Sequence, residues 1–286
     1  MRKHPAFVAV AVMLAGALGS RPAAAQGDCF PPKDSHEART LAIESVPLAF
    51  SPLSAPRRVE RPTLRLGLEG ATVPNPDAAT RTATICRPGK GPEKTDFLFA
   101  IPRPRAEVVL PGGVGLEVSW IPPVRVAGVR ANVLSVALGY RAAIGKAVVG
   151  LRGHGTAGLV RAPITCDTGA LADPASECFE GTRSDDRFHP NIFGVDATVG
   201  IPVGSGRFRP YAGAGVNVLH PRFQVNFTNS QGSTDNRKIE VNLTRFVTYA
   251  GASWMVRPAW EVSAELYLSP SDALSGRMAV RRGFAL

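Results

Sequence analysis

The stretch Trp260-Glu261-Val262-Ser263-Ala264-Glu265-Leu266-Tyr267-Leu268 alternates without a break. Side chains of a strand point to opposite faces with period two, so Trp260, Val262, Ala264, Leu266 and Leu268 share an oily face. Glu261, Ser263, Glu265 and Tyr267 share the other. Neither glutamate can sit unpaired in hydrocarbon, so theirs is the polar side. The same two-faced pattern recurs along most of the chain after Pro62.

Nine further segments read in this way. They lie near 63–73, 106–110, 114–121, 130–141, 147–161, 193–201, 208–219, 239–256 and 276–285. Leu134, Val136, Leu138 and Tyr140 oppose Ser135, Ala137 and Gly139; Phe193, Val195, Ala197 and Val199 oppose Gly194, Asp196 and Thr198. Pro111-Gly112-Gly113 joins two short arms as a tight hairpin. Connections at 111–113, 143–146, 204–206 and 257–258 are short. Those at 74–104, 122–126, 162–190, 220–237 and 269–275 are mostly longer and polar. Short turns at one end and long loops at the other predict an all-β fold, an up-and-down antiparallel transmembrane β-barrel of about ten strands, within a range of about 8–12. An even strand number puts both barrel ends on the short-turn, periplasmic side. Trp120, Tyr140, Phe208, Trp254 and Trp260 fall near strand ends, where an aromatic girdle belongs.

The first residues agree with export. Arg2, Lys3 and His4 precede an apolar run from Ala6 to Leu18 and then Ala23-Ala24-Ala25, so residues 1–25 read as a signal peptide. The run, roughly 13 residues, is too short for a spanning helix, and nothing later reaches ~18 uninterrupted apolar residues. The expected organisation is therefore signal peptide 1–25, irregular N-terminal segment 26–61, and barrel 62–286, in the outer membrane of a Gram-negative cell. Formal charge is +10, and loss of Arg2, Lys3 and Arg21 with the leader lowers it. The remaining arginines are scattered, which argues against a nucleic-acid partner. Outer-membrane lipid, lipopolysaccharide phosphates and the barrel assembly machinery are the expected partners, with small-molecule cargo undefined.

Four cysteines suit an oxidising compartment. Cys166 and Cys178 flank a Gly-, Asp- and Pro-rich loop and are expected to pair, leaving Cys29 for Cys86, although four cysteines allow three connectivities. A 29–86 bond would join a periplasmic N-terminus to an extracellular loop, and the only route is through the lumen. Residues 26–61 would then form a plug. The alternative is a disordered lead-in with Cys29 free or paired elsewhere.

Arg209-Pro210-Tyr211-Ala212-Gly213-Ala214-Gly215 resembles a strand of small OmpA-like and OmpW-like outer-membrane barrels, and Trp260 to Tyr267 resembles their penultimate strand. The resemblance implies glycines that let the wall twist and leave room for inward side chains. Such barrels end on an aromatic residue; this chain ends Phe284-Ala285-Leu286, and Phe284 is expected to take that place.

The polar faces nominate Glu69, Glu117, Arg152, His154, Asp196, Arg209, Glu261 and Glu265 as lumen-lining residues. The bland reading has them pairing to fill a narrow lumen; the functional one has them lining a polar path for a small solute. No catalytic residue, metal site or cofactor is expected. His154, His189 and His220 lack ligand spacing, and Asp185, Asp186 and His189 read as turn chemistry more readily than as a rim hydrolase. The leading function is structural, or passive passage of small, even hydrophobic, solutes. The alternative is a soluble secreted β-sandwich that binds a ligand or protein, in which the face of Leu134 and Leu138 would meet a second sheet.

Overall fold

A computed structural model describes residues 27–286; the expected signal peptide, residues 1–25, lies outside them. Ten strands form one ring: β1 (Thr63–Thr72), β2 (Ala100–Val109), β3 (Val114–Ile121), β4 (Val129–Ile144), β5 (Ala147–Ala162), β6 (Ile192–Gly200), β7 (Phe208–Leu219), β8 (Leu243–Arg257), β9 (Trp260–Ser269) and β10 (Ala273–Ala285). Each pairs antiparallel with the next, and β10 returns to β1 with Thr63 opposite Ala285 and Ala71 opposite Arg277. The ring closes on itself and has no edge strand, although β2 and β3 part at the loop end, and the one other sheet among the described residues is a two-stranded hairpin in a loop. The sandwich alternative is excluded by this closure.

Alternation sorts the wall. Leu66, Leu68, Leu134, Leu138, Val195, Leu266 and Met278 are exposed on the outside, while Glu69, Ser135, Asp196, Glu265 and Arg277 are buried within. Trp120, Tyr140, Phe208, Trp254 and Trp260 are all exposed on that outer face.

Three boundaries differ from the sequence reading. β2 starts at Ala100 rather than 106, because Pro102 and Pro104 read as loop. Both stand where β2 has β1 beside it but β3 has already parted, since the β2–β3 ladder covers only Arg105–Val109. Proline is tolerated where its missing N–H is not needed. β10 starts at Ala273, so the β9–β10 connection is a short turn and not a long loop. The expected strand from 239 is broken: Lys238–Glu240 is separate and pairs with Arg222–Gln224. That strand pairs with Asp186–His189, which pairs with Val160–Ala162 at the end of β5. This ribbon extends the wall beyond the ring at the long-loop end.

The N-terminal segment occupies the interior. Ser35 caps helix α1 (His36–Ser45) by accepting from the Ala38 N–H at 3.1 Å, which satisfies one of the orphan donors of the first turn. Cys29 is disulfide-bonded to Cys86 in the β1–β2 loop, and its backbone bridges to Ile239. The chain then passes from the loop end to Pro62 at the turn end, where the Pro62 carbonyl accepts from the Leu286 N–H. Cys166 and Cys178 are also bonded, as expected from spacing.

Candidate functional site

The lumen is a charged collar closed around residues 46–57. Guanidiniums from β2, β5 and β10 donate to the backbone carbonyls of this segment. Arg103 reaches Leu48 and Ala49, each at 3.3 Å; Arg105 reaches Ser51 at 2.9 Å; Arg152 reaches Phe50. Arg277 donates to Val46 at 2.7 Å and Ala49 at 2.9 Å, and Arg281 to Pro52 at 3.0 Å and Leu53 at 3.2 Å. From β8 and β9, Ser253 accepts the Ala55 N–H and Glu265 the Leu53 N–H. Donors from opposite sides of the ring converge on one strand of chain, so that chain runs along the axis. Seven of its carbonyls are satisfied by the wall, as a segment with no ladder of its own requires.

Phe50 completes the collar. Its ring is fully buried with Arg103, Arg105 and Arg152 over it, the nearest guanidinium 4.3 Å from the centroid. Desolvated cation–π contacts of this kind contribute up to about 2 kcal/mol each. Leu53 holds a left-handed φ of 51°, a conformation unfavourable for a branched side chain. Bonds from Glu265, Ser263 and Arg281 to its two backbone groups hold it there.

Carboxylates tie the collar together. Glu69 pairs with Arg103 and Arg105, and Glu117 pairs with Arg105, Arg141 and Arg152. Glu107 joins Arg65, Arg141 and Arg281, and Asp196 joins Arg152 at 3.0 Å, His154 at 3.4 Å and the Tyr249 hydroxyl at 2.9 Å. Glu261 pairs with Arg57, and Glu265 accepts from the Tyr211 hydroxyl at 3.0 Å. Thus seven of the eight nominated lumen residues, Glu69, Glu117, Arg152, His154, Asp196, Glu261 and Glu265, have interior partners. Arg209 lies toward the turn end and donates to the Gly206 carbonyl at 3.1 Å. They fill the lumen instead of lining a path through it. A Cβ on Gly213 would run into the Tyr249 ring, and one on Gly200 would come within 2.9 Å of Pro56, so these glycines leave room for the interior groups.

Sequence reading missed Arg65, Arg103, Arg105, Glu107, Arg141, Arg277 and Arg281. Strict parity along β1 and β10 marks Arg65, Arg277 and Arg281 as inward. Arg103 and Arg105 were hidden by the prolines that flank them.

Open space lies above the collar. A cavity of about 270 Å³ at the loop end is bounded by Leu41 and Leu48 from the N-terminal segment, Ile101 and Ile121 from the wall, and Phe188, Phe223 and Ile239 from the ribbon. Phe97, Leu98 and Val124 from the loops border it too. It adjoins the place where β2 and β3 part, because Ile101 and Pro102 on one side and Ile121 and Pro122 on the other all line it. Pro102 and Val126, which also line the cavity, are exposed there. The few polar groups are concentrated in Glu37, Glu44, Arg81, Glu93 and Thr95. Glu37 is spoken for: despite burial, which opposes ionisation, N–H groups of Ile85, Cys86 and Thr84 hold its carboxyl below the usual range. Glu44 is not. One Glu44 oxygen, one Glu93 oxygen and the Thr95 hydroxyl are buried without a partner. Burial pushes the Glu44 carboxyl up to about 8, and the nearby Arg81 charge only partly opposes this.

The rim acids have structural partners. Asp186 accepts from the Thr165 N–H at 2.6 Å, the Asn226 N–H at 2.8 Å and the Ser184 hydroxyl at 2.8 Å. His189 Nδ1 lies 2.8 Å from the Gly158 carbonyl, and Asp185 pairs with Arg161 at 3.3 Å. Among the described residues no cluster of three His, Cys, Asp or Glu could hold a metal ion.

No protein-family model matches the chain, and no curated protein does. Solved structures that match include three from bacteria. The attachment invasion locus protein Ail of Yersinia pestis is 11% identical, with 79% of this chain and 100% of that one covered and a TM-score of 0.33. The toluene transporter TbuX of Ralstonia pickettii is 11% identical, with 82% and 92% covered and a TM-score of 0.32. The translocator domain of the autotransporter NalP from Neisseria meningitidis is 12% identical, with 78% and 86% covered and a TM-score of 0.34. The barrel assignment rests on this chain's own strand register.

Proposed function

We propose that this chain is an integral outer-membrane barrel that takes up small apolar solutes in its loop-end cavity and exchanges them sideways, through the parting of β2 and β3. The cavity carries the reading. It is apolar, it sits where the wall ladder stops, and below it the lumen is filled by residues 46–57. A solute held there has a path to the outer face and none along the axis. The outward row of Leu66, Leu68, Leu134, Leu138 and Val195 supports a bilayer as the surroundings, since a surface this apolar is otherwise left in water.

Glu44 sets the polarity of the solute. With its carboxyl raised to about 8 it is neutral at pH 7 and can both donate and accept. An apolar body bearing one neutral polar group, such as a hydroxyl or carbonyl, fits this wall; a carboxylate or a sugar does not.

The test is binding of the fluorophore N-phenyl-1-naphthylamine to the detergent-folded protein, together with membrane fractionation and heat-modifiable gel mobility. The expected result is saturable fluorescence that is lost in Ile101→Trp, which fills the cavity. Equal binding by this variant, while it stays folded, overturns the cavity. A soluble, heat-insensitive protein overturns the membrane barrel.

A further inference from the structure

Four arginines stand in one row across adjacent strands at the loop-side rim. Arg125 is paired with Arg130, Arg130 with Arg161, and Arg161 with Arg187. The row continues through Gln224 to Lys238. The alternate residues on the same strands, among them Val129, Ala131, Val160 and Phe188, line the cavity inside, so the arginines belong to the outer face. Side chains directly opposed in an antiparallel ladder are about 5 Å apart at Cβ, where like charges repel.

Little in the protein neutralises the row. Asp185 reaches Arg161 at 3.3 Å, and among the described residues no carboxylate forms a salt bridge with Arg125, Arg130 or Arg187. Arg187 Nε is buried with no partner. A further arginine, Arg183, presses against the turn at Gly128, its guanidinium 2.8 Å from where a Cβ would stand. Five guanidiniums with one acid among them form a surface built for an anion.

The height of the row says which anion. Down the outer face of β4 come Asn132, Leu134, Val136, Leu138 and Tyr140, with Leu138 61% exposed. Trp120 is paired with Leu134 and donates its indole N–H to Asn132 at 2.9 Å, as an interfacial tryptophan does. Arg130 follows on the same face immediately beyond Asn132, at the level of lipid headgroups.

We propose that Arg125, Arg130, Arg161 and Arg187, with Arg183, bind the phosphate groups of a phosphorylated glycolipid in the outer leaflet, whose acyl chains lie along Leu134 and Leu138. The proposal rests on the outer-membrane reading above and is independent of the cavity. Guanidinium forks match phosphate oxygens bidentately. Four strands at a spacing of about 4.8 Å give a row about 15 Å long, enough for more than one phosphate.

The experiment is native mass spectrometry of the folded full chain in micelles, titrated with bisphosphorylated lipid A and with the same lipid dephosphorylated. The phosphorylated form is expected to be retained about tenfold more tightly, and Arg130→Gln/Arg187→Gln to abolish the preference. Arg207→Gln/Arg257→Gln, at the opposite rim, is expected to keep it. Should the first double variant not fold, Arg125→Gln, on the two-residue strand Arg125–Val126 that pairs with the start of β4 outside the ring, is expected to reduce the preference. Equal retention of both lipids, or an unchanged preference in the row variants, overturns the proposal. So does displacement of lipid A by millimolar inorganic phosphate, which would make the row a site for free anions. A protein that requires detergent yet ignores the phosphates fails this proposal alone; one soluble without detergent fails the membrane reading beneath it.

Discussion

Cys29 is bonded to Cys86 across a sequence separation of 57, with Cα atoms 5.8 Å apart. The bond fixes the start of the described chain to the β1–β2 loop, while Pro62 enters β1 at the other end of the barrel. The intervening residues therefore cross the lumen, and the arginine collar forms around them. Disulfide, threading and collar are one arrangement.

Non-reducing digestion followed by mass mapping is expected to yield two linked peptides, 29–86 and 166–178. Cys29→Ser opens the larger loop and is expected to lower stability by about 2–4 kcal/mol. Thermal loss of heat-modifiable mobility, compared with and without reductant, measures it. A cross-link pairing either cysteine differently would defeat the threading account.

Removing the threaded segment should turn a closed lumen into an anion path. The interior acids Glu69, Glu107, Glu117, Asp196, Glu261 and Glu265 are outnumbered by Arg65, Arg103, Arg105, Arg141, Arg152, Arg277 and Arg281. The intact protein is expected to be nearly silent in planar bilayers. A deletion of residues 46–57 that still folds is expected to conduct with chloride favoured over potassium, read from the reversal potential in a salt gradient. Cation selectivity would contradict this charge distribution.

Burial separates two kinds of ion pair. Glu117 is 3% exposed and holds three arginines. Glu117→Ala leaves those charges unpaired in a dry interior and is expected to destabilise by about 3–5 kcal/mol. Glu240 pairs with Arg222 at 3.0 Å but is partly open to water, so Glu240→Ala is expected to change stability by less than about 1 kcal/mol. Parallel chemical denaturation of the two variants makes the comparison, and equal effects would refute the buried network.

Glu44 gives a pH signature. Its folded carboxyl titrates at about 8, against 4.5 for the ordinary group. Between those values the folded state holds a proton that the unfolded chain releases, so stability falls as pH rises through this window. Arg81, Glu37 and Glu93 border the same cavity and share its field. Glu44→Gln is expected to flatten the decline in thermal midpoint between about pH 5 and pH 8. A variant that follows the parent's curve would remove Glu44 as its source.

Much of the wall was legible from alternation because burial and backbone geometry act there at single-residue range. Leu134, Val136 and Leu138 mark an outward face whatever the rest of the chain does. Legibility failed where a local signal contradicted the eventual neighbour. Pro102 and Pro104 argue against a strand until it is known that β3 parts from β2 beside them. The cavity had no sequence signature at all, since its lining comes from α1, four barrel strands, the ribbon and three loops.

The alternation at Trp260–Leu268 was enough to determine a strand with one dry and one polar face, and its repetition was enough for a closed wall. That is so because the period-two geometry of a strand is a property of each residue and its neighbours. What Glu261 and Glu265 do was decided by tertiary structure alone. Glu261 meets Arg57, and Glu265 meets the backbone of Leu53, partners some two hundred positions away in the chain. A lumen's contents depend on which segment is threaded through it, and only the closed ring with its disulfide brings that segment in.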